Sequence, residues 1–401
     1  MNILFLTAHL PEPPHAGGTL RTNGLLRGVH AAGHSVHLLS FADADQARQH
    51  RDTLAEFCAS ITTVEPPQRS LTQRLRDLAF TQRADMQGRF ASPQFARQLE
   101  QLLAGQRFDL VQIESLEMAI YLPIIQKAGV RAIYDSFNAE YDLQRTIYET
   151  ERGSLRRLPG AFYSLLQWRR LTHFERSVCQ NVAHTIAVSE ADAAAFEQLA
   201  PGCPVSVVPN GINTANYAHT DASLDLGEYP LVFTGSMAYR PNVDAALWFA
   251  YRVLPLVREK VPGVRFFVVG SNPHARLNVL HEQEAVEITG WVPDVNPFLH
   301  AAAVYVVPMR MGSGTRLKVL QALAASKAVV STTIGAQGLH VTDGEQLRLA
   351  DSPQDFAAAV IELLEQPDQR ENLGAAAQRY VCDHYDWSVI VPRLLRVYDQ
   401  L

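Results

Sequence analysis

Short apolar runs rich in β-branched residues alternate with stretches of helical spacing, and this alternation occurs twice along the chain. In the first half NILFLT, SVHLLSF, DLVQIE, RAIYD and TIAVS predict strands. A helix is expected over 19–33, with Leu25, Leu26 and Val29 on its apolar face and Gly33 as its stop. The second half restarts with LVFTG, RFFVVG, VEITG, VYVVP and AVVST, separated by helices such as 241–261, which Pro241 opens in the position proline tolerates best. A final apolar pattern (Val389, Val391, Leu394, Leu395, Val397) predicts a helix beyond the second sheet. The pattern is that of an α/β protein with two doubly wound parallel sheets in tandem, whose strand ends are expected to face each other across a ligand cleft. The crossing is placed in VSVVPNGINTANY, residues 205–217. That gives an N-terminal domain of 1–207, a C-terminal domain of 208–384, and a helix, 385–401, expected to return to the first domain.

The segment 304–332, VYVVPMRMGSGTRLKVLQALAASKAVVST, carries the most chemistry. An apolar run stops at Pro308, a loop holds Gly312, Ser313 and Gly314, and a helix is expected from Thr315. A glycine turn that opens a helix aims free N–H groups and a positive dipole end at an anion. Arg316 and Lys318 are expected in the first helical turn, where cations oppose that dipole and a bound phosphate would account for them. An ordinary crossover with solvent-facing basic residues is the other reading. The loop after the first strand, His9 to Gly18, ends in Gly17-Gly18, which would allow a ligand close to the backbone or serve only packing. Arg21, one turn on, is expected to point back at that loop, and His9 is either a donor to substrate hydroxyls or a satisfied loop histidine. Gly235 and Ser236, followed by Arg240, repeat the logic after the LVFTG strand. Trp291 and Val292 follow another strand and either wall a nucleobase or fill a core.

Composition narrows the class. The 401 residues are 47% apolar and 19% charged, with a net charge of −6, which suits a globular chain with two cores and gives no bulk basic excess for nucleic acid. The four cysteines (Cys58, Cys179, Cys203, Cys382) lack metal-ligand spacing and suit a reducing cytosol. Residues 3–6 are too short an apolar run for a signal peptide, and no run reaches membrane-spanning length. A cytoplasmic protein is expected, with the inner face of the cell membrane still open to it.

NGINTANY, FTGSMAYRPNVDAALWF, ITGWVPDV and MGSGTRLKVLQALAASKAVVST, in this order, resemble the family-four retaining glycosyltransferases of the GT-B fold. LTAHLPEPPHAGG, YDSFNAEYDLQR and HTIAVSEAD resemble the same group, in particular its bacterial exopolysaccharide branch. The resemblance covers nearly the whole chain and implies two Rossmann-like domains. It implies a UDP- or GDP-sugar held by the second domain, a glycan acceptor, lipid-linked, held by the first, and transfer with retention and without a metal or other cofactor. It further implies that Gly17 and Gly18 face the diphosphate with Arg316 and Lys318 beside it. The other donor contacts would come from Gly235, Ser236, Arg240, Trp291, Val292, Ser313, Gly314, Thr315 and Gln321, and the acceptor would meet His9, Arg21, Asn138 and Glu140. Metal-free departure of a nucleotide diphosphate needs preorganised cations and N–H donors, which agrees with the residues themselves. Three positions depart from the family pattern: Ser313 and Gln321 stand where many members carry glutamates, and Phe137 where a histidine is common. Gln321 can still bond a ribose hydroxyl; Ser313 is too short to replace a sugar-facing glutamate directly.

Arginines at 152, 156, 157, 169, 170 and 176, among apolar residues, and at 69, 74, 76, 83 and 89 concentrate basic charge in the first domain. They suit an anionic membrane surface or a lipid diphosphate, or a solvated helix packed on its own sheet. The sequence leaves two other functions open: a GT-B-shaped binding or scaffold subunit without turnover, and a nucleotide-sugar epimerase, for which Glu140 would be the cleft carboxylate.

Overall fold

The computed structural model describes every residue except 15–16, 152–157, 220–223 and 312–315, and for residues 75, 150, 151, 158, 159 and 161 it describes the backbone alone. The chain forms two compact units, Met1–Asn210 with Ile390–Leu401, and Gly211–Val389.

The first unit is built on seven parallel strands: β1 (Asn2–Thr7), β2 (Ser35–Phe41), β3 (Ser60–Val64), β4 (Leu110–Glu114), β5 (Ala132–Asp135), β6 (His184–Ala187) and β7 (Val205–Val207). Their order across the sheet is β3-β2-β1-β4-β5-β6-β7. β1 pairs with β2 from Asn2↔Ser35 to Thr7↔Ser40, and its other edge meets β4 from Ile3↔Leu110 to Leu6↔Ile113. The strand order therefore reverses between β1 and β4, and ligands of such sheets lie beyond the carboxyl ends at that point. β1 and β4 are buried almost throughout, as expected of strands covered on both faces. The β3 strand was not expected; its SITTV run is only half-buried, which weakens the apolar signal.

The second unit has six parallel strands: β8 (Tyr229–Thr234), β9 (Val264–Val269), β10 (Val286–Gly290), β11 (Val304–Val307), β12 (Val329–Ser331) and β13 (Arg348–Leu349). The order is β10-β9-β8-β11-β12-β13, and here the switch lies between β8 and β11. The two-residue β13 is too short to carry a pattern. The helix expected over 241–261 is Arg240–Trp248 followed by a π-turn, Phe249–Val253, and Leu254–Lys260. Pro255, which lacks an N–H, stands at the junction and accounts for the break in the hydrogen-bond ladder. Each unit has its own core, around Phe95, Tyr134 and Phe196 in the first and Phe233, Phe249 and Phe356 in the second.

The helix expected over 19–33 is Gly17–Ala31, so the two glycines open it rather than precede it. A Cβ on Gly18 would stand 2.8 Å from Phe137 Cε2, and this ring contact demands glycine whatever else the loop does. The last helix, Trp387–Asp399, buries Ile390, Val391, Leu394, Val397 and Tyr398. Among the described residues no helix is long and apolar enough to cross a membrane.

Candidate functional site

In the second unit, residues from four segments converge at the carboxyl end of β8. The strand runs into Gly235, whose φ of +151° and whose crowding (a Cβ would lie 2.6 Å from Lys318 Nζ and 2.7 Å from Asn242 Nδ2) exclude a side chain. Gly270, at the end of β9, is packed still tighter: a Cβ there would meet the Gly235 carbonyl oxygen at 1.7 Å. The bonds Gly235 N–H to Val269 O (3.0 Å) and Gly270 N–H to Gly290 O (3.1 Å) tie the ends of β8, β9 and β10 into one rim. Against that rim stands Lys318. Its Nζ donates to Asn242 Oδ1 at 2.8 Å and lies 4.3 Å from the centre of the Phe233 ring. Asn242 is itself buried and fixed by Nδ2 donating to the Ser236 carbonyl at 2.9 Å.

Neither of these supports carries negative charge. Burial, and then the neighbouring Arg316 cation, push the Lys318 ammonium down to about 7. Lys318 is half-buried; Arg316 is buried, and that burial lowers its pKa, opposed by Tyr239. A half-buried lysine held by an amide and an aromatic face, with a buried arginine close enough to lower its pKa, makes a site that an anion would stabilise. Arg316 does not lie in the first helical turn as expected. The helix is Leu317–Ala324, and Arg316 occupies the capping position before it with φ −86° and ψ 86°. Gln321, one turn further, donates from Nε2 to the Tyr217 hydroxyl at 2.9 Å.

In the first unit, Arg21 is not the loop-facing guanidinium the sequence suggested. Only 1% exposed, it grips Asp135 with Nε (3.2 and 3.0 Å) and Nη2 (2.6 Å), and Nη1 donates to the Pro209 carbonyl (3.1 Å) and Asn210 Oδ1 (3.2 Å). Glu114 sits beside this pair, accepting from Thr22 (2.9 Å) and Gln112 (2.6 Å). Burial, with the Asp135 charge next, pushes its carboxyl up to about 8, so it is held protonated near neutrality. Arg21 is thus a buried structural cation, and its donors are spent within the protein.

Asn138 and Glu140 line a cavity of about 370 Å³ at the ends of β4 and β5, with Ser115, Glu117, Arg89 and Tyr163 on its other walls. Burial raises the Glu140 carboxyl to about 7, the Asn138 hydrogen bond opposes this, and Glu117 adds to it. His9 is exposed and meets the Phe90 ring edge-on at 5.3 Å.

Two family models divide the chain between them. Residues 16–211 match the Glycosyl transferase 4-like domain and residues 228–366 match Glycosyl transferases group 1. The chain belongs to the GT-B glycosyltransferases. Among curated proteins, the chain is similar to a phosphatidyl-myo-inositol mannosyltransferase of Mycolicibacterium smegmatis, 30% identical over 231 residues (55% of this chain, 58% of that one). It is also similar to an uncharacterized 44.6 kDa protein in the cps region of Klebsiella pneumoniae, 23% identical over 170 residues (40% of this chain, 44% of that one). The matches thus span about half the length of these relatives. Two solved structures share the fold. Anabaena Alr3699/HepE in complex with UDP and glucose has a TM-score of 0.69 at 13% identity and full coverage of both chains. Sucrose-phosphate synthase from Thermosynechococcus elongatus has a TM-score of 0.73 at 15% identity, covering 100% of this chain and 99% of that one.

Of the second-unit candidates, Gly235, Ser236 and Lys318 gather around the β8 rim, Arg316 stands close enough to Lys318 to lower its pKa, and Arg240, exposed, begins the helix that carries Asn242. Trp291 is 70% exposed at the end of β10, so it does not fill a core, while Val292 is half-buried against the second core. Ser313, Gly314 and Thr315 lie outside the described residues, as do Arg152, Arg156 and Arg157. Sequence reasoning passed over Asn242 and Gly270. For Asn242 the available signal was an asparagine beside apolar Val243 near a helix start, whereas Gly270 has the same local setting as any strand-end glycine. Ser115, a non-glycine residue at φ +75°, left no trace in the sequence.

Proposed function

We propose that the chain transfers a sugar, with retained anomeric configuration and without a metal, from a UDP- or GDP-sugar to a glycan acceptor carried on a lipid. The setting is bacterial polysaccharide biosynthesis at the cytoplasmic face of the membrane. The observation that carries this reading is the paired cations, Arg316 and Lys318, against the glycine rim of β8. When the bond from the anomeric carbon to the diphosphate oxygen breaks, negative charge develops on the departing nucleotide. Cations already desolvated and fixed stabilise that charge without reorganisation. Lys318 suits the task because its supports, Asn242 and Phe233, orient it without neutralising it. Gln321 keeps an acceptor and a second N–H for the ribose while Tyr217 fixes its rotamer. Gly17 and Gly18 at their helix N-terminus are assigned to the diphosphate, and Trp291 and Val292 to the base.

Asn138, Glu140 and His9 are assigned to the acceptor. The lipid-directed name of the mannosyltransferase relative and the cps-region relative support the acceptor class and the setting. The test is incubation with a panel of UDP- and GDP-sugars, with released UDP or GDP measured with and without acceptor and with EDTA present. Acceptor-dependent release that EDTA leaves intact is expected, with product anomeric configuration matching the donor by NMR. Binding of donors without any turnover would favour a scaffold subunit, and EDTA-abolished turnover restored by Mg²⁺ or Mn²⁺ would overturn the metal-free step.

A further inference from the structure

Beside the cavity that holds Asn138 and Glu140 lies another, about 230 Å³, and the two share Asp85, Tyr163 and Gln167 as a common wall. Their charges are opposite in character. In the first cavity, among the described residues, the carboxyls of Asp85, Glu117 and Glu140 face a single cation, Arg89, already bonded to Glu117 at 3.0 Å and 3.7 Å from Asp85. In the second, among the described residues, Arg69, Arg74, Arg83 and Arg170 face only Asp77 and Asp85. Arg69 is tied to both aspartates (2.9 and 2.8 Å); Arg74 is exposed and reaches Asp85 only at 3.4 and 3.5 Å, Arg83 is exposed, and Arg170 donates to the Arg83 and Leu78 carbonyls (3.0 and 2.9 Å), bonds that leave its charge in place, so four arginines still outnumber two carboxylates. An anion would be repelled from the first cavity and drawn to the second.

The first cavity carries its own marker of a hydroxylated guest. Ser115 is 8% exposed, and its Oγ has no hydrogen-bond partner among the described residues. Its backbone is held at φ +75°, a conformation costly for a residue with a Cβ. A buried hydroxyl left unbonded on a strained backbone, in a cavity also lined by a carboxyl and an amide, is ready to bond hydroxyl groups brought by a ligand. Around the second cavity the helices Leu71–Phe80 and Leu158–Asn181 present Leu71, Phe80 and Phe162 to solvent, 74, 85 and 71% exposed. Large apolar groups beside arginines suit a chain that is both charged at its head and greasy behind it.

We propose that these two cavities form one bipartite acceptor site for a glycosyl diphospholipid: the sugar binds between Ser115, Asn138 and Glu140, the diphosphate lies along Arg74, Arg83 and Arg170, and the hydrocarbon chain settles on Leu71 and Phe162. This rests on the glycosyltransferase reading above and names the acceptor class within it.

The test uses the full chain and three sets of synthetic lipids with an eleven-carbon chain: glycosyl diphosphates, the same glycosides without phosphate, and the alkyl diphosphate without sugar. Glucose, galactose and mannose are each tried as the sugar. Binding is measured by calorimetry below micelle formation. At least one glycosyl diphosphate binds roughly tenfold or more tighter than either partial ligand, the scale of one or two charge-assisted hydrogen bonds. Arg74→Gln with Arg83→Gln weakens both diphosphate-bearing sets and spares the phosphate-free glycosides, whereas Ser115→Ala weakens only the sugar-bearing sets. Equal loss for all three sets in the arginine variant, or no preference for any glycosyl diphosphate in the wild type, would overturn the assignment. So would blocking by inorganic pyrophosphate at equal concentration, or equal arginine-dependent binding to anionic phospholipid vesicles that lack the acceptor. UDP is titrated separately: failure of UDP to bind the wild type overturns the donor reading, while UDP binding with no acceptor discrimination overturns this one alone.

Discussion

Replacing Lys318 by methionine tests the donor site through its electrostatics. The side chain keeps its unbranched apolar length and loses the charge together with the hydrogen bond to Asn242 Oδ1. In the unliganded protein the ammonium has been brought from 10.5 to about 7, first by burial and then by Arg316. At about 1.4 kcal/mol per unit this sets an upper bound of roughly 5 kcal/mol on the strain of keeping it charged. A bound diphosphate would return the group to its ordinary range, so binding must take up a proton. At pH 7.5 about a quarter of the lysine is protonated, and uptake is about 0.8 proton per UDP or GDP bound. Between pH 7.5 and 8.5 the wild-type affinity should fall about eightfold. The nucleotide's own phosphate, which titrates near about 6, does not interfere there.

Calorimetry of the donor nucleotide in buffers of different ionisation enthalpy reads both quantities. Lys318→Met should abolish the uptake, flatten the pH dependence and weaken binding by about 1.5–3 kcal/mol at pH 7. Stability of the unliganded protein should move the other way. For a base whose folded pKa lies below the unfolded one, the unfolded chain binds more protons between about 7 and 10.5. The wild type is therefore penalised fully below pH 7 and progressively less up to 10.5. Methionine removes that penalty, so its melting temperature should exceed wild type most at pH 7 or below. Wild-type affinity in Lys318→Met, or a wild type without proton uptake and with flat affinity over pH 7.5–8.5, would refute the reasoning.

Arg21→Met should destabilise the first unit by about 3–5 kcal/mol by stranding the buried Asp135 carboxylate, read by urea denaturation; a change confined to acceptor KM would return Arg21 to the acceptor site. Gly18→Ala should cost about 1–3 kcal/mol through its collision with the Phe137 ring, and Phe137→Leu in the same chain should recover part of that loss; additive losses would place the strain elsewhere. Gln321→Leu should weaken donor binding by about 1–3 kcal/mol by leaving ribose hydroxyls unpaired, with Gln321→Glu tolerated. If leucine instead matches Tyr217→Phe, lowering stability alone, the glutamine serves only to fix that tyrosine.

The strands with the strongest β-branched runs were legible because a strand buried on both faces is mostly apolar, as β1, β8 and β11 are; β4 adds the buried, hydrogen-bonded Gln112 and Glu114 to its apolar run. The alternation of such runs with helical spacing fixed the fold class, since parallel strands need crossover helices and those helices must bury one face. Glycine-rich strand ends marked where ligands of such sheets collect. What the chain could not declare locally depends on partners distant in sequence. Arg21 resembled a loop cation because nothing near it reveals that Asp135, more than a hundred residues away, would neutralise it in the core. Lys318 could be named from its spacing, but its state could not. Its lowered pKa comes from burial, where Asn242 and Phe233 close around it, and from Arg316 beside it. The opposite characters of the two first-unit cavities arise the same way, from which arginines the fold pairs with Asp77, Asp85 and Glu117 and which it leaves exposed. Local sequence determined the elements and the kinds of residue at their ends; burial and charge pairing, which depend on long-range packing and desolvation, were decided only by the tertiary structure.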